Sequence, residues 1–486
     1  MHYPKKILHW IKNQETGVAG GFFLKFNPAT GQILGQVIKG QRSDAEKALM
    51  AASESFESWS NLSVVTRAEI LRKSAVMLQE RQEEAAVLVA LECGKSKKSS
   101  LAEVKAATEC GFFMAGEGQR FYGKILSSAV PNRHLELVRQ SIGVGKLIVP
   151  FNNPLAAIAW KVFPAILCGN TVVLKAHEDT PYIAIWFAKL LKKAGLPSGV
   201  FSVVQGFGDE VGAALVEDKR ARFISFTGSV ATARTIIKAS ADRLAKVSVE
   251  AGGKNPLVIC DDADLNQAAN AAVASAFIDA GQRCAAGSRI IVFESVYGQF
   301  KKLFLAKVKA LKVGIGDKDD FGAIINQRRT ENILKIISGA TERGAKLLTG
   351  GKRLTDNACR NGYFIAPTVL ENVPSSDEAS RVEIFGPVVI LYKVKNFDEA
   401  VRLANDSEYK LTSAIHTGNL HRAQEFIRKY AGGVVRVNGT THGSEPHVSF
   451  GGLGLSGNGW REPGEQALDF YSEWKQVSID YDPAKT

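Results

Sequence analysis

Cys284 stands in "GQRCAAGSR" (residues 281–289), between Arg283 and a run of small residues. A thiol that serves packing sits among Val, Leu or Ile as a small hydrophobe. A reactive one needs access for a substrate and surroundings that favour thiolate. The stretch alone leaves both readings open. Elsewhere the chain holds the partners that a working thiol would need. Glu250, in "VSVEAGGKNP", ends an apolar strand ahead of two glycines, where a carboxylate can act on water as a general base or serve only as a helix cap. Asn152, in "IVPFNNP", offers an amide donor for an oxyanion, or a turn residue between prolines.

A second group of residues suits a dinucleotide. "GFGDEVG" places Gly206, Gly208 and Gly212 one residue too far apart for the usual fingerprint, so by itself it is weak evidence. "SFTGSVATAR" ends a strand at Gly228 and Ser229 and opens a helix, whose free N–H groups and dipole favour a phosphate. Ser229 also suits a plain N-cap. "VVLKAHED" sets Lys175 and Glu178 just past a buried strand, within reach of ribose hydroxyls. A carboxylate there accepts from a 2′-OH and repels a 2′-phosphate, which favours NAD over NADP. The bland alternative is an exposed ion pair.

These residues need a scaffold, and the composition supplies a globular one. The chain has 486 residues, 45% hydrophobic and 23% charged, enough for two or three domains. A net charge of +12 permits weak attraction to polyanions, but no block of five basic residues occurs. "KSKK" at 95–98 reads as a solvated surface, and nucleic acid is not an expected partner. The sequence shows no signal peptide and no apolar run long enough for a membrane span. Six scattered cysteines, without C-x-x-C pairs or a His cluster, suggest no metal site and a reducing cytoplasm, with five of them serving packing.

Residues 43–117 read as helices, the first with a Ser43/Glu46 capping box. Residues 120–141 alternate as a strand pair, which the strand-like C-terminus would join. Between them "GKLIVP", "GNTVVLKA", "VFSVVQG", "ARFISFTG" and "KVSVEAG" read as buried strands separated by helices. This is the pattern of a parallel sheet that binds ligands at the carboxyl ends of its strands. A second α/β series runs from about 253 to 452.

At this point the chain resembles the aldehyde dehydrogenase superfamily over roughly residues 20–480. The matching motifs are "VPFNNP", "GNTVVLKAHEDTP", "FISFTGS", "VEAGGKNP", "GQRCAAGSR", "EIFGPV" and "FGGLGLSGNG", in family order. The resemblance implies an α/β fold with two Rossmann-like parallel-sheet domains and a small β oligomerisation element. It divides the chain into an NAD-binding domain (1–119 and 142–252), a catalytic domain (253–452) and an oligomerisation element (120–141 and 466–486). It implies oxidation of an aldehyde to a carboxylate, with Cys284 as nucleophile, Asn152 and the Cys284 N–H as oxyanion donors, and Glu250 as the base for thioester hydrolysis. Lys175, Glu178, Phe151, Gly208, Gly228, Ser229, Glu383 and Phe385 match cofactor positions. A homodimer or homotetramer is expected. Ala251, Ala176, Phe151 and Asn153 replace common Leu, Pro, Trp and Phe residues, and every catalytic group is kept.

Rival readings are a coenzyme-A-acylating semialdehyde dehydrogenase, disfavoured by Glu250, and a non-catalytic NAD-binding paralogue. The flanks of Asn152 and the C-terminal tail look most like the branch that oxidises α-ketoglutaric semialdehyde and related ω-semialdehydes. Arg283, His442 and His447 are then candidates to meet a distal carboxylate, and Arg283 also to favour the Cys284 thiolate. Simple aliphatic or aromatic aldehydes are the alternative substrates.

Overall fold

A computed structural model describes residues 3–17 and 20–485 of the chain. Two seven-stranded sheets face one another across a cleft. The first runs, in spatial order, Lys246–Ala251, Ala221–Gly228, Val144–Ile148, Thr171–Lys175, Phe201–Val204, His9–Ile11 and Gln14–Thr16. Its first five strands are parallel and are the five buried strands read from sequence. Thr171–Lys175 and Phe201–Val204 are buried at every position, which is why they appear as unbroken apolar runs rather than alternation. The two N-terminal strands extend this sheet antiparallel, an edge that the sequence reading did not anticipate.

The order of this sheet reverses beside Val144–Ile148. The chain steps outward through Thr171–Lys175 and Phe201–Val204, then crosses back to place Ala221–Gly228 on the other flank. A crevice opens at the carboxyl ends on either side of such a switch point.

The second sheet runs Lys346–Thr349, Thr368–Glu371, Val388–Val394, Gly287–Phe293, Asn255–Ile259, Thr412–His416 and Val434–Val437, parallel except for the first. Each sheet has its own apolar core. The C-terminal strand Ser472–Asp480 pairs antiparallel with Arg133–Ser141, which pairs with Lys124–Leu126, so the hairpin and the tail meet as read from sequence. A further small sheet, Lys6–Ile7, Ile33–Ile38 and Phe22–Phe26, was not foreseen.

Residues 42–117 form four helices. The first starts at Arg42, and its capping contact is Gln41 N–H to Asp44 Oδ2 at 3.0 Å, not the expected Ser43/Glu46 box. The "KSKK" reading also needs correction. Lys97 and Lys98 are exposed, but Lys95 and Ser96 are buried against other parts of the fold. Among the described residues no helix is long and apolar enough to cross a membrane, and no His, Cys, Asp or Glu group has metal-site geometry.

Candidate active site

The two sheets meet with opposite ends. The first contributes the loops after its strands, and the second contributes the segments that lead into its strands. Between them lies a cavity of about 500 Å³, within the usual range for a small-molecule site. It brings together Phe151 and Asn152, Lys175 and Glu178, Gly208, Gly228 and Ser229, Glu250, Cys284, and Glu383 with Phe385. These are the eleven catalytic and cofactor positions expected from sequence.

Cys284 is the one thiol that is only partly buried; the other five cysteines are buried, and none is in a disulfide. Its loop is fixed by Asn255, whose Nδ2 donates to the carbonyls of Cys284 (2.7 Å) and Ala286 (2.9 Å). Thr441 Oγ1 donates to the Ala285 carbonyl at 2.8 Å. Burial pushes the thiol well above its usual range, and the facing Glu250 carboxyl pushes it further. Arg283 gives no relief. Its Nε donates to Asp279 Oδ2 at 2.5 Å, so the expected support for a thiolate is not built here.

Glu250 ends the strand Lys246–Ala251. Burial raises its carboxyl to about 8; the Cys284 thiol and Lys161 pull it down, while Glu383 and Glu462 push it up. Its Oε1 is buried without a protein partner among the described residues, an acceptor left open for a water or a thiol proton. Behind it, Lys161 Nζ is held by Glu462 Oε2 and Ser225 Oγ, both at 2.7 Å.

Asn152 is 8% exposed, and among the described residues its amide makes no hydrogen bond. The Cys284 N–H is likewise unpaired. Two unused donors beside a thiol are what an oxyanion requires.

Glu383 accepts from the Gly253 N–H at 2.9 Å, and burial lifts it to about 7. Glycines permit this approach: a Cβ on Gly252 would lie 1.9 Å from Glu383 Oε2, and one on Gly253 2.4 Å from the Cys284 carbonyl. Phe385 meets Phe151 edge-on at 5.7 Å, with the Arg329 guanidinium 5.6 Å above its ring.

At the cleft's far end Lys175 Nζ donates to Glu178 Oε2 at 2.9 Å, so the plain ion pair also forms. Burial opposes its charge, yet His177 and Lys175 hold Glu178 at about 2. Ser229 caps its helix by accepting from Thr232 N–H at 3.3 Å, which realises its modest reading while it lines the cleft. Gly208 leaves open space where a side chain would stand. A helix N-terminus, a glycine floor and an ionised carboxylate beside a lysine fit the phosphates and a ribose of a dinucleotide.

Three predicted residues do not line this cavity. Arg283 is committed to Asp279. His442 Nε2 lies 3.2 Å from the Ala274 carbonyl, and burial lowers it to about 4, so it is neutral at pH 7. His447 is exposed, 3.8 Å from Glu445. None is a free cation aimed at the thiol. Conversely, sequence reasoning passed over His177, Arg329, Asn255 and Thr441. Only Asn255 and His177 lay inside motifs already noted; what Asn255, Arg329 and Thr441 do depends on contacts far along the chain, whereas His177 acts on its neighbour Glu178.

The comparisons with known proteins agree with this geometry. Residues 16–477 match the model of the aldehyde dehydrogenase family. The chain is 36% identical over 477 residues to the alpha-ketoglutaric semialdehyde dehydrogenase of Bacillus subtilis, covering 97% of this chain and 96% of the relative. It is 37% identical over 473 residues to the 2,5-dioxopentanoate dehydrogenase of Saccharolobus solfataricus, covering 96% and 97%. A crystal structure of betaine aldehyde dehydrogenase from Staphylococcus aureus in complex with NAD+ superposes with a TM-score of 0.96 at 32% identity, covering 99% of this chain and 96% of that one.

Proposed function

The chain belongs to the aldehyde dehydrogenase family, and from that premise we propose that it oxidises a semialdehyde bearing a distal carboxylate, such as α-ketoglutaric semialdehyde, with NAD as cofactor. The observation that carries the chemistry is the meeting of Cys284, Glu250 and two donors without a partner among the described residues, the Asn152 amide and the Cys284 N–H, in one cavity.

The Cys284 thiol loses its proton to solvent, and the thiolate sulfur attacks the aldehyde carbon. The oxygen becomes an oxyanion held by the Asn152 amide and the Cys284 N–H. Lys175 and Glu178 would hold the adenosine ribose, Gly228 and Ser229 the pyrophosphate, and Glu383, Phe385 and Phe151 the nicotinamide end. When bound, NAD would supply the acceptor for the hydride that leaves the reacting carbon, and a thioester would remain on Cys284. Glu250 then takes a proton from water as that water attacks the thioester, and the carboxylate product leaves the sulfur. An ionised Glu178 accepts from a 2′-OH and opposes a 2′-phosphate, which supports NAD over NADP.

The semialdehyde assignment is supported by the relatives named for it. The commitment of Arg283 to Asp279 favours the second reading, an uncharged aliphatic or aromatic aldehyde. Comparison of kcat/KM for chain-matched pairs with and without the distal carboxylate decides between them. The semialdehyde reading expects the carboxylated member to be faster by at least about tenfold, the value of one good polar contact. Equal values remove it.

We also place the Arg133–Ser141 and Ser472–Asp480 sheet in a homodimer or homotetramer contact. Ile125, Leu126, Trp474 and Ile479 leave apolar surface exposed on it. Six unpaired thiols suit a reducing cytoplasm.

A further inference from the structure

Lys95 lies outside the cavity yet reaches both of its halves. The residue is 5% exposed, and its Nζ donates to Glu103 Oε2 and to Asn153 Oδ1, each at 2.7 Å, with Asp279 Oδ2 at 3.7 Å. Burial works against its charge, but Asp279 and Glu103 outweigh that and keep it protonated.

Each partner is attached to a catalytic segment. Glu103 Oε1 accepts from the backbone N–H of Leu155 at 2.8 Å and of Ala156 at 3.4 Å, so it caps the helix Pro154–Leu167 that starts two residues after Asn152. Two residues before Lys95, the Cys93 thiol donates to the Phe151 carbonyl at 3.3 Å. Alternate residues of one segment, Cys93 and Lys95, therefore grip the two neighbours of Asn152 and leave its amide free. On the other side, Asp279 takes Arg283 Nε, one residue before Cys284. Asp279 and Ala280 are both left-handed, with φ of 54° and 57°, an unfavourable pair for non-glycine residues that needs outside contacts to hold it.

We propose that Lys95, with Glu103 and Asp279, is a positioning device that sets the distance between the two oxyanion donors, Asn152 from the first sheet and Cys284 from the second. The proposal rests on the reading that these donors hold the oxyanion. Lys95 touches neither substrate nor cofactor; it acts through Asn153 and Asp279. A misplacement of about 1 Å at such a donor is enough to lower the rate by about 10²-fold, and loss of one donor costs about 10²–10³ in kcat.

The test is a double-mutant cycle on the full-length protein, with NAD and with succinic semialdehyde and propanal as substrates. The variants are Lys95→Met, Asn152→Ala and the pair. Lys95→Met should lower kcat by about 10²-fold while the aldehyde KM and the NAD Kd stay within about threefold. Lys95→Arg should recover most of that loss, because a cation can still bridge the two carboxylates. Added to Asn152→Ala, Lys95→Met should cost less than about threefold, since its target is already gone. If Asn152→Ala is strongly impaired and Lys95→Met multiplies that loss in full, the oxyanion assignment stands and the positioning role is overturned. If Asn152→Ala retains wild-type kcat, the oxyanion assignment falls and takes the proposal with it. Should Lys95→Met fail to fold, Asn153→Ala cuts the direct link from Lys95 to the Asn152 segment and leaves the charge cluster and the Glu103 cap intact. It should show part of the same kcat loss without additivity, and full additivity again overturns the proposal.

Discussion

Glu250→Gln should separate the two halves of the reaction. Burial and the neighbouring carboxyls Glu383 and Glu462 leave the Glu250 carboxyl at about 8, despite the pull of the Cys284 thiol and Lys161. A group with that pKa is about 10% ionised at pH 7 and about 1% ionised at pH 6. If hydrolysis needs the carboxylate, its rate should climb about tenfold per pH unit below 8 and level off above it. Acylation should fare differently in the variant. The Glu250 carboxyl is the second cause holding the Cys284 thiol high, so its removal makes the thiolate more accessible. Rapid-mixing measurement of NADH absorbance resolves the two halves as a burst and a linear phase. Glu250→Gln should retain a burst of roughly one equivalent per Cys284, while its linear phase drops by about 10²–10⁴ and loses the inflection near 8. The reasoning is refuted if the wild-type linear phase is flat between pH 6 and 9, or if the variant keeps a wild-type linear phase.

The same trace tests Lys161, whose ammonium lowers Glu250: in Lys161→Met the inflection should move upward by about one unit, and an unmoved inflection removes the coupling. Glu178→Gln takes away the charge that opposes a 2′-phosphate, so kcat/KM for NADP relative to NAD should rise at least about tenfold. A ratio changed by less than threefold would mean that Glu178 does not face the ribose. Asn255→Ala leaves the Cys284 and Ala286 carbonyls without their donor, which should destabilise the protein by about 2 kcal/mol and lower kcat about tenfold, checked by urea unfolding beside steady-state rates; wild-type values in both would show that the loop holds itself.

Much of this was legible in the sequence because the signals are local. The five central strands are apolar runs between helices, and each expected cofactor residue stands at the end of a strand or within about five residues of one. The N-terminal strands were not legible, because "KI" and "HWI" are too short to show a period and take their structure from partners such as Gln36 and Val203. Lys95 was misread for a related reason. Its neighbours Lys97 and Lys98 are solvated, and nothing within four residues announces Glu103, Asn153 or Asp279. The Ser43/Glu46 box failed more simply, because Asp44 satisfies Gln41 two positions earlier. Arg283 was given two functional roles since an arginine beside a thiol is suggestive, but a carboxylate four residues back claims it. Local sequence shows which groups are present, whereas pairing across the fold decides which remain free to react.

That distinction also explains why the site lies between the sheets. Glu250 lies at the carboxyl end of a strand of the first sheet and Asn152 just beyond another, while Cys284 and Glu383 precede strands of the second. Neither half alone holds a nucleophile and its base. The catalytic geometry therefore depends on how closely the halves approach, and several features govern that approach. Gly252 and Gly253 carry the chain from Glu250 into the second sheet and have no side chain to keep Glu383 and the Cys284 loop away. The return segment then closes over the base strand, with Ala251 N–H donating to the Ser456 carbonyl at 2.9 Å and Ser456 Oγ to the Gly252 carbonyl at 2.7 Å. An alanine at Gly252 would need Glu383 to move by more than 1 Å to reach ordinary contact. It should disturb the nicotinamide end of the site and the Cys284–Glu250 spacing together, because the same two-residue joint sets both.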